Sequence, residues 1–254
     1  MRRRRMNSAR ELMLSMDEKR CVHCPAAADT EDHWFPRSWY PSSTPANLEK
    51  WAFPSCSTCN GELGTIEDRL RHRFVLALDP EAIAAQSLVE SALRSMNPAH
   101  GKSDRDRHAR AARRAALERH MFPGNQFPAS SMLPGLGPNR DMPLSQQAAT
   151  GVLAADLERF IAKLVRGLTY LQLSQYLEPT HFAAMYLQQP DAARPLVAYL
   201  DEHAVAVDRG PGIRARVARE AREPLTAAYE FVIWERLVVY ALSLPVGAEL
   251  PWRA

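Results

Sequence analysis

Four cysteines form two Cys-x-x-Cys pairs in the first quarter of the chain. Cys21 and Cys24 make the first pair, Cys56 and Cys59 make the second, and the sequence has no further cysteine. Four thiolates at this spacing suit a zinc ion, which takes four tetrahedral ligands in closed structural sites. A redox pair is the alternative, but two matching pairs favour metal ligation. The sequence therefore predicts a structural Zn²⁺ that stabilises a small module.

The segment between and just after the two pairs carries a second set of side chains that could do chemistry. Glu-Asp-His-Trp-Phe-Pro-Arg-Ser occupies residues 31–38, and Asn60 directly follows the second pair. A neutral imidazole can take a proton from water near pH 7. Carboxylate and amide oxygens bind hard divalent ions such as Mg²⁺, which stabilise charge on a phosphate. An Asp-His dipeptide alone means little, so the reaction class depends on the frame in which these residues stand.

Asp-His-x-x-Pro at residues 32–36, in a frame closed by Cys-x-x-Cys-Asn at residues 56–60, resembles the HNH endonuclease family. The likeness covers about residues 19–75 and is closest to small bacterial members with zinc knuckles. It implies a ββα-metal fold, hydrolysis of double-stranded rather than single-stranded DNA, and a setting such as bacterial defence, restriction or mobile elements. It assigns His33 as the general base, with Asp32 and Asn60 as ligands of a catalytic Mg²⁺ or Mn²⁺.

The sequence departs from the family pattern on the helix that should follow Asn60. Position 64, where the family often has another metal ligand, is glycine, and Glu67 is the candidate substitute. Seven helical residues span about 10 Å, so Glu67 can join Asn60 only if residues 60–64 form a turn. Asp32 and His33 are neighbours on an expected strand and point to opposite faces. They can share a site only where the strand twists or ends, which Pro36 favours.

Arginine accounts for 28 of the 32 basic residues. Arginine binds phosphate well, although an Arg- and Ala-rich genome would give the same bias. Candidate contacts to the DNA backbone are Arg37, Arg69, Arg73, Arg107, Arg110 and Arg114. Pairing of Asp106 with Arg110 would instead make the last three part of an ordinary solvated helix face.

Two further interpretations concern residues near the cysteines. His23, inside the first pair, is expected to be exposed on the turn rather than to bind metal. The aromatic side chains of this region are expected to form its core rather than to stack on bases: Trp34, Phe35, Trp39 and Trp51.

The alternative to a nuclease is a non-catalytic zinc-stapled module that binds nucleic acid or protein, in which Asp32 and His33 are structural.

The composition and the hydrophobic pattern predict an α+β protein with several parts. The chain has 254 residues, of which 46% are hydrophobic, and a net charge of +3, which suits a folded core rather than a disordered polyelectrolyte. Residues 1–20 form a basic leader with a short helix at 8–16, and residues 21–121 the nuclease domain. A Pro/Gly-rich linker follows at 122–151. Residues 152–254 form a mainly helical domain that could hold a protein partner.

The hydrophobic periodicity predicts helices at 65–78, 81–96, 104–120, 153–171, 181–187 and 194–203. Residues 229–244 could be strand or buried helix, and a strand paired with residues 213–221 is favoured. The sequence has no apolar run of the roughly 18–20 residues that a membrane span needs, so a soluble, cytoplasmic protein is expected.

Overall fold

The computed structural model describes residues 19–79, 81–126, 141–178, 181–187 and 190–247. Within these ranges the chain is α+β, as expected. The helices are α1 (Ser57–Phe74), α2 (Leu88–Met96), α3 (Asp104–Glu118), α4 (Ala154–Leu173) and α5 (Pro190–His203). The strands are β1 (Thr30–His33), β2 (Ala52–Ser55), β3 (Met121–Pro123), β4 (Ala148–Thr150), β5 (His181–Leu187), β6 (Val205–Asp208), β7 (Ile213–Arg219), β8 (Ala227–Ile233) and β9 (Leu237–Pro245). In the described part of the chain, no helix combines the length and apolarity needed to span a bilayer.

Strands β1 and β2 form an antiparallel pair that leads directly into α1, giving a ββα unit. Helix α1 begins eight residues before the predicted start at residue 65. The cause is Cys56, which precedes the helix and accepts a hydrogen bond at its sulfur from the backbone N–H of Cys59, at 3.4 Å. Gly61 and Gly64, which disfavour a helix in isolation, lie exposed on this helix.

The other large layer is an antiparallel sheet with the strand order β5-β9-β8-β7-β6. Its two faces pack against different partners because strand side chains alternate. Leu242 and Ala228 belong to a small cluster with Leu196 of α5. Phe231 and Val239 point the other way and join the main core, which includes Leu164 of α4. Helix α4 is therefore packed between the sheet and the ββα unit.

Tryptophans connect the ββα unit to the sheet. The rings of Trp39 and Trp234 lie 4.9 Å apart between centroids, and the Trp234 Nε1 donates to the Trp39 carbonyl at 2.7 Å. The Trp34 Nε1 donates to the Leu164 carbonyl of α4 at 2.9 Å. Trp34, Phe35 and Trp39 are at most 1% exposed, which confirms that they form core. The division into a nuclease and a C-terminal domain stays a prediction, although one hydrophobic cluster includes residues of both.

Two predictions for the C-terminal half were wrong in secondary structure: residues 181–187 are not a helix, and the described part of residues 152–254 is not mainly helical, because a five-stranded sheet lies beside α4 and α5. Residues 181–187 form strand β5 rather than a helix, because full pairing with β9 overrides the helix preference of a short Ala- and Met-containing segment. Residues 229–244 are two strands, β8 and β9, joined by a tight turn. The predicted pairing of this region with residues 213–221 is confirmed for β7 and β8.

The turn between β8 and β9 has Trp234 and Glu235 at φ 51° and 57°. Such hairpin turns prefer Asn and Gly, so this pair gave no turn signal. The strained backbone is held by Trp234, whose side chain is 1% exposed and bonded to Trp39.

The remaining helix predictions differ mainly at their ends. Helix α3 matches the predicted 104–120 region and α4 the predicted 153–171 region, and α5 starts four residues before the predicted 194. Residues 81–96 are interrupted: a 3₁₀ turn at Ile83–Ala85 is followed by α2, with Ser87 at φ 65° between them. The leader helix at 8–16 and residues 127–140 of the predicted linker lie outside the described residues, and β3 pairs with β4 across the latter.

We predict that Gly167→Ala destabilises the protein by about 1–3 kcal/mol. A Cβ at Gly167 of α4 would lie 2.3 Å from Cε1 of the buried Phe53 ring of β2, so the helix and β2 would have to separate. The midpoint of urea unfolding measures the change.

Gly61→Ala is the matched control, because Gly61 is also helical but a Cβ added there would meet no neighbouring atom within 4 Å. It should raise stability by about 0.5–1 kcal/mol. A Gly167→Ala protein as stable as Gly61→Ala would contradict the close approach of α4 to β2.

Candidate metal centre and the adjoining polar cluster

The four cysteine sulfurs form one cluster. Two come from the first Cys-x-x-Cys pair and two from the start of α1, and all four lie within 4.8 Å of one another. The sulfurs of Cys24 and Cys56 are 3.7 Å apart. A tetrahedral ion with Zn–S bonds of about 2.3 Å needs sulfurs about 3.8 Å apart. The cluster therefore fits a metal ion such as zinc, as the sequence predicts.

Backbone groups prepare this cluster for a cation. The N–H of His23 donates to the Cys21 sulfur at 3.3 Å, and the N–H of Cys59 donates to the Cys56 sulfur at 3.4 Å. Burial alone would raise the pKa of Cys21, but backbone hydrogen bonds outweigh it and lower that pKa to about 7. Burial and the neighbouring sulfurs raise the pKa of Cys59 instead. A metal ion removes this conflict because it binds all four groups as thiolates.

Asp32 lies in a second, purely polar cluster next to the thiols. Its Oδ1 accepts a hydrogen bond from the Nζ of Lys163 on α4 at 2.6 Å, and its Oδ2 lies 3.3 Å from the Nε2 of His23. The same Nζ donates to Oε1 of Glu67 on α1. The side chain of Lys163 is 1% exposed and that of Asp32 7%. One ammonium group therefore joins β1, α1 and α4.

The pKa values of this cluster reflect burial and the shared ammonium. Burial alone would raise the pKa of Asp32, but His23 and Lys163 hold it below its usual value. Glu67 lacks the histidine contact, and burial raises its pKa to about 7 although Lys163 opposes the rise. Burial lowers the pKa of His23 despite Asp32. Near pH 7 the cluster thus holds an ionised Asp32 and a largely neutral His23.

His33, the expected general base, ends β1 opposite Ala52 of β2 and is partly exposed. Burial and the positive charge of Arg37 lower the pKa of His33. The charges of Asp32 and Lys163 also act on it, with opposite signs. Within the described residues, Asp32 is hydrogen-bonded to His23 and Lys163, and His33 is bonded to neither. This is expected, because adjacent strand residues point to opposite faces.

Asn60, the expected second metal ligand, holds β1 against α1. Its Nδ2 donates to the Glu31 carbonyl at 3.1 Å and to the Thr30 Oγ1 at 3.3 Å. Helix α1 is continuous over residues 57–74, so residues 60–64 are not the turn that Glu67 would need to reach Asn60. The structure thus places Glu67, rather than Asn60, next to the Lys163 ammonium that Asp32 binds.

The carboxylates of Asp32 and Glu67 do not fit the divalent ion that the family resemblance implies. The ammonium of Lys163 already lies within hydrogen-bond distance of both. In the described residues, the four thiols are the only group of three or more His, Cys, Asp and Glu ligand atoms close enough to share an ion. Binding of Mg²⁺ or Mn²⁺ by Asp32 and Asn60 stays a prediction without support from this arrangement.

Most of the candidate DNA-binding arginines have partners inside the protein. Arg37 is exposed on a 3₁₀ turn after β1. The other five are engaged as follows: Arg69 with Asp156, Arg73 with the Gly151 carbonyl, Arg107 with Asp104, Arg110 with Asp106, and Arg114 with Glu118. The pair of Asp106 and Arg110 that the alternative view of α3 requires is present, and the binding of DNA by these arginines stays a prediction.

Three residues of the site were missed or misjudged from the sequence. His23 was expected to be exposed, which is wrong, because its side chain is 7% exposed against Asp32. Arg166 was given no role in the site, and its guanidinium donates to the His23 carbonyl at 2.9 Å. Lys163 was also missed. The available signal was a lysine on the same helix face as Gly167, in a helix rich in leucine and a chain with only four lysines.

Comparison with protein-family models, with curated proteins and with solved structures finds no match to this chain. The side chains themselves offer two kinds of chemistry. The thiols can bind a metal ion, and the imidazole of His33, a partly exposed residue near Arg37, can accept a proton beside an anion.

We predict that Cys56→Ser loses the bound zinc and unfolds the N-terminal part of the protein. Cys56 supplies both a metal ligand and the cap of α1, and a serine hydroxyl is a poor zinc ligand at neutral pH. The measurement is the zinc content of purified protein together with circular dichroism. Ser57→Ala, at the exposed neighbouring position, is the control and should keep about one zinc per chain. Full zinc and full stability in Cys56→Ser would refute the four-thiol site.

Proposed function

We propose that this protein is an endonuclease that hydrolyses phosphodiester bonds in DNA, with His33 as the general base. The observation that carries the proposal is the position of His33. It ends β1 of a cysteine-stapled ββα unit, is partly exposed, and lies near the exposed Arg37. The resemblance of residues 19–75 to the HNH family supports the choice of DNA as substrate.

The proposed reaction needs a base and positive charge near the phosphate. His33 takes a proton from a water molecule, and the resulting hydroxide oxygen forms a bond to phosphorus. The bond from phosphorus to the 3′-oxygen breaks, and that oxygen takes a proton from solvent. The products are a 5′-phosphate and a 3′-hydroxyl. Arg37 would bind the phosphate oxygens, since a guanidinium matches their geometry.

A second candidate function is a non-catalytic zinc-stapled module that binds protein or nucleic acid. It is favoured by the use of Asp32 and Glu67 as partners of Lys163, which gives both carboxylates a structural role. Under this function, binding survives the loss of His33 and there is no turnover to lose. The two candidates therefore differ in a cleavage assay.

We predict that His33→Ala lowers the rate of plasmid cleavage by at least about 10²-fold. The assay uses supercoiled plasmid with and without added Mg²⁺ or Mn²⁺, and the zinc content is measured for each protein. Zinc and folding should be unchanged, because His33 is outside the four-thiol cluster.

The matched control is His100→Ala, which removes an exposed histidine after α2 and should cleave like the wild type. Cleavage by His33→Ala at the wild-type rate would exclude His33 as the base. If the zinc-loaded wild type binds plasmid without cutting it under any condition, the non-catalytic module is the better description.

A further inference from the structure

The cluster around Lys163 has the carboxyl groups of a metal site, with a lysine ammonium in the position of the metal ion. Two carboxylates, from β1 and α1, converge on one positive charge. The charge is the ammonium of Lys163, which is delivered by α4 from outside the ββα unit. We propose that this ammonium takes the place of a divalent ion, so that Asp32 and Glu67 take up neither Mg²⁺ nor Mn²⁺ in the folded protein. The inference rests on the proposed function in that it concerns the cation of the same site.

The electrostatic balance of the cluster supports the replacement. A buried carboxylate needs a paired charge, and the Lys163 ammonium donates to both acids through separate N–H groups. Its single charge balances the ionised Asp32, and burial raises the pKa of Glu67 to about 7, so that Glu67 is partly protonated near neutral pH. Arg166 on the same helix lies against the His23 carbonyl and adds positive charge to this side. A divalent ion within bonding distance of both carboxylates would have to lie beside Nζ and be repelled by it. The ion could enter only if Lys163 left.

The backbone of α4 holds Lys163 in this position. Phe160 and Leu164, one turn before and one residue after it, are both 0% exposed in the main core. The Leu164 carbonyl is also bonded to the Trp34 indole, which follows β1 by one residue. Withdrawal of α4 would expose this core, so the cation is a fixed part of the fold rather than an exchangeable ligand.

The choice of lysine fits the size of the site. In a chain with 28 arginines, a lysine is the residue that stands between the two acids. An ammonium is a compact charge with three donors, whereas a guanidinium is planar and larger. The proposed hydrolysis should accordingly proceed without added Mg²⁺ or Mn²⁺.

Binding of Mn²⁺ to the zinc-loaded full chain, without nucleic acid, tests the proposal. Electron paramagnetic resonance of free Mn²⁺ in a titration counts the sites. The wild type should take up no Mn²⁺ at millimolar concentrations, and its melting temperature should not change. Lys163→Ala should gain one Mn²⁺ site between Asp32 and Glu67, and Mn²⁺ should raise its melting temperature. Lys163→Ala combined with Glu67→Gln should lose that site, and Lys102→Ala, at an exposed lysine, should behave like the wild type.

Uptake of one Mn²⁺ by the wild type that Asp32→Asn abolishes would overturn the proposal. A folded Lys163→Ala protein with no Mn²⁺ site would also overturn it. If Lys163→Ala fails to fold, the wild-type titration alone decides. Because no DNA is present, the outcome is separate from the cleavage assay: a protein that takes up no Mn²⁺ and cuts no plasmid refutes the nuclease and leaves the internal cation in place.

Discussion

The four cysteine thiols join two distant segments of the chain, and the ββα unit depends on that junction. The first pair belongs to a knuckle whose Val22 N–H donates to the Pro54 carbonyl of β2 at 3.0 Å. The second pair is the first turn of α1, where Cys56 caps the helix. A metal ion that closes the cluster thereby sets α1 against β1, and the Asn60 amide strengthens the contact at the Glu31 carbonyl. The positions of Asp32 and His33 follow from this arrangement.

Helix α4 provides the second constraint, because three buried residues on one of its faces contact α1, β1 and β2. Asp156 accepts two hydrogen bonds from Arg69 of α1, Lys163 joins the two acids, and Gly167 lets Phe53 approach. Buried ion pairs add little net stability, since desolvation offsets the attraction. Their effect is specificity, because a shifted α4 would leave buried charges unpaired. The polar contacts therefore fix the position of α4 along its axis, which its buried leucines, Leu157, Leu164 and Leu168, would not fix alone.

The sequence predicted features that depend on local spacing and missed those that depend on distant partners. The cysteine pairs and helices α3 and α4 carry their own pattern and were predicted. The role of Lys163 had only a weak local signal, since its partners Asp32 and Glu67 lie 131 and 96 residues away in the sequence. The β8–β9 turn was missed because Trp234 and Glu235 take positive φ without a turn residue, held by tertiary packing.

The alternation of strand β1 divides the candidate site into two parts with different chemistry. Asp32 points into a buried cluster where it is paired with Lys163, whereas His33 ends the strand as a partly exposed residue whose Nδ1 is buried. The buried charges act on His33 through space alone, and with opposite signs. Burial and Arg37 both disfavour the imidazolium form. Under the proposed function, a polyanion at Arg37 meets a histidine that can accept a proton, next to the buried cluster of Asp32, Glu67 and Lys163.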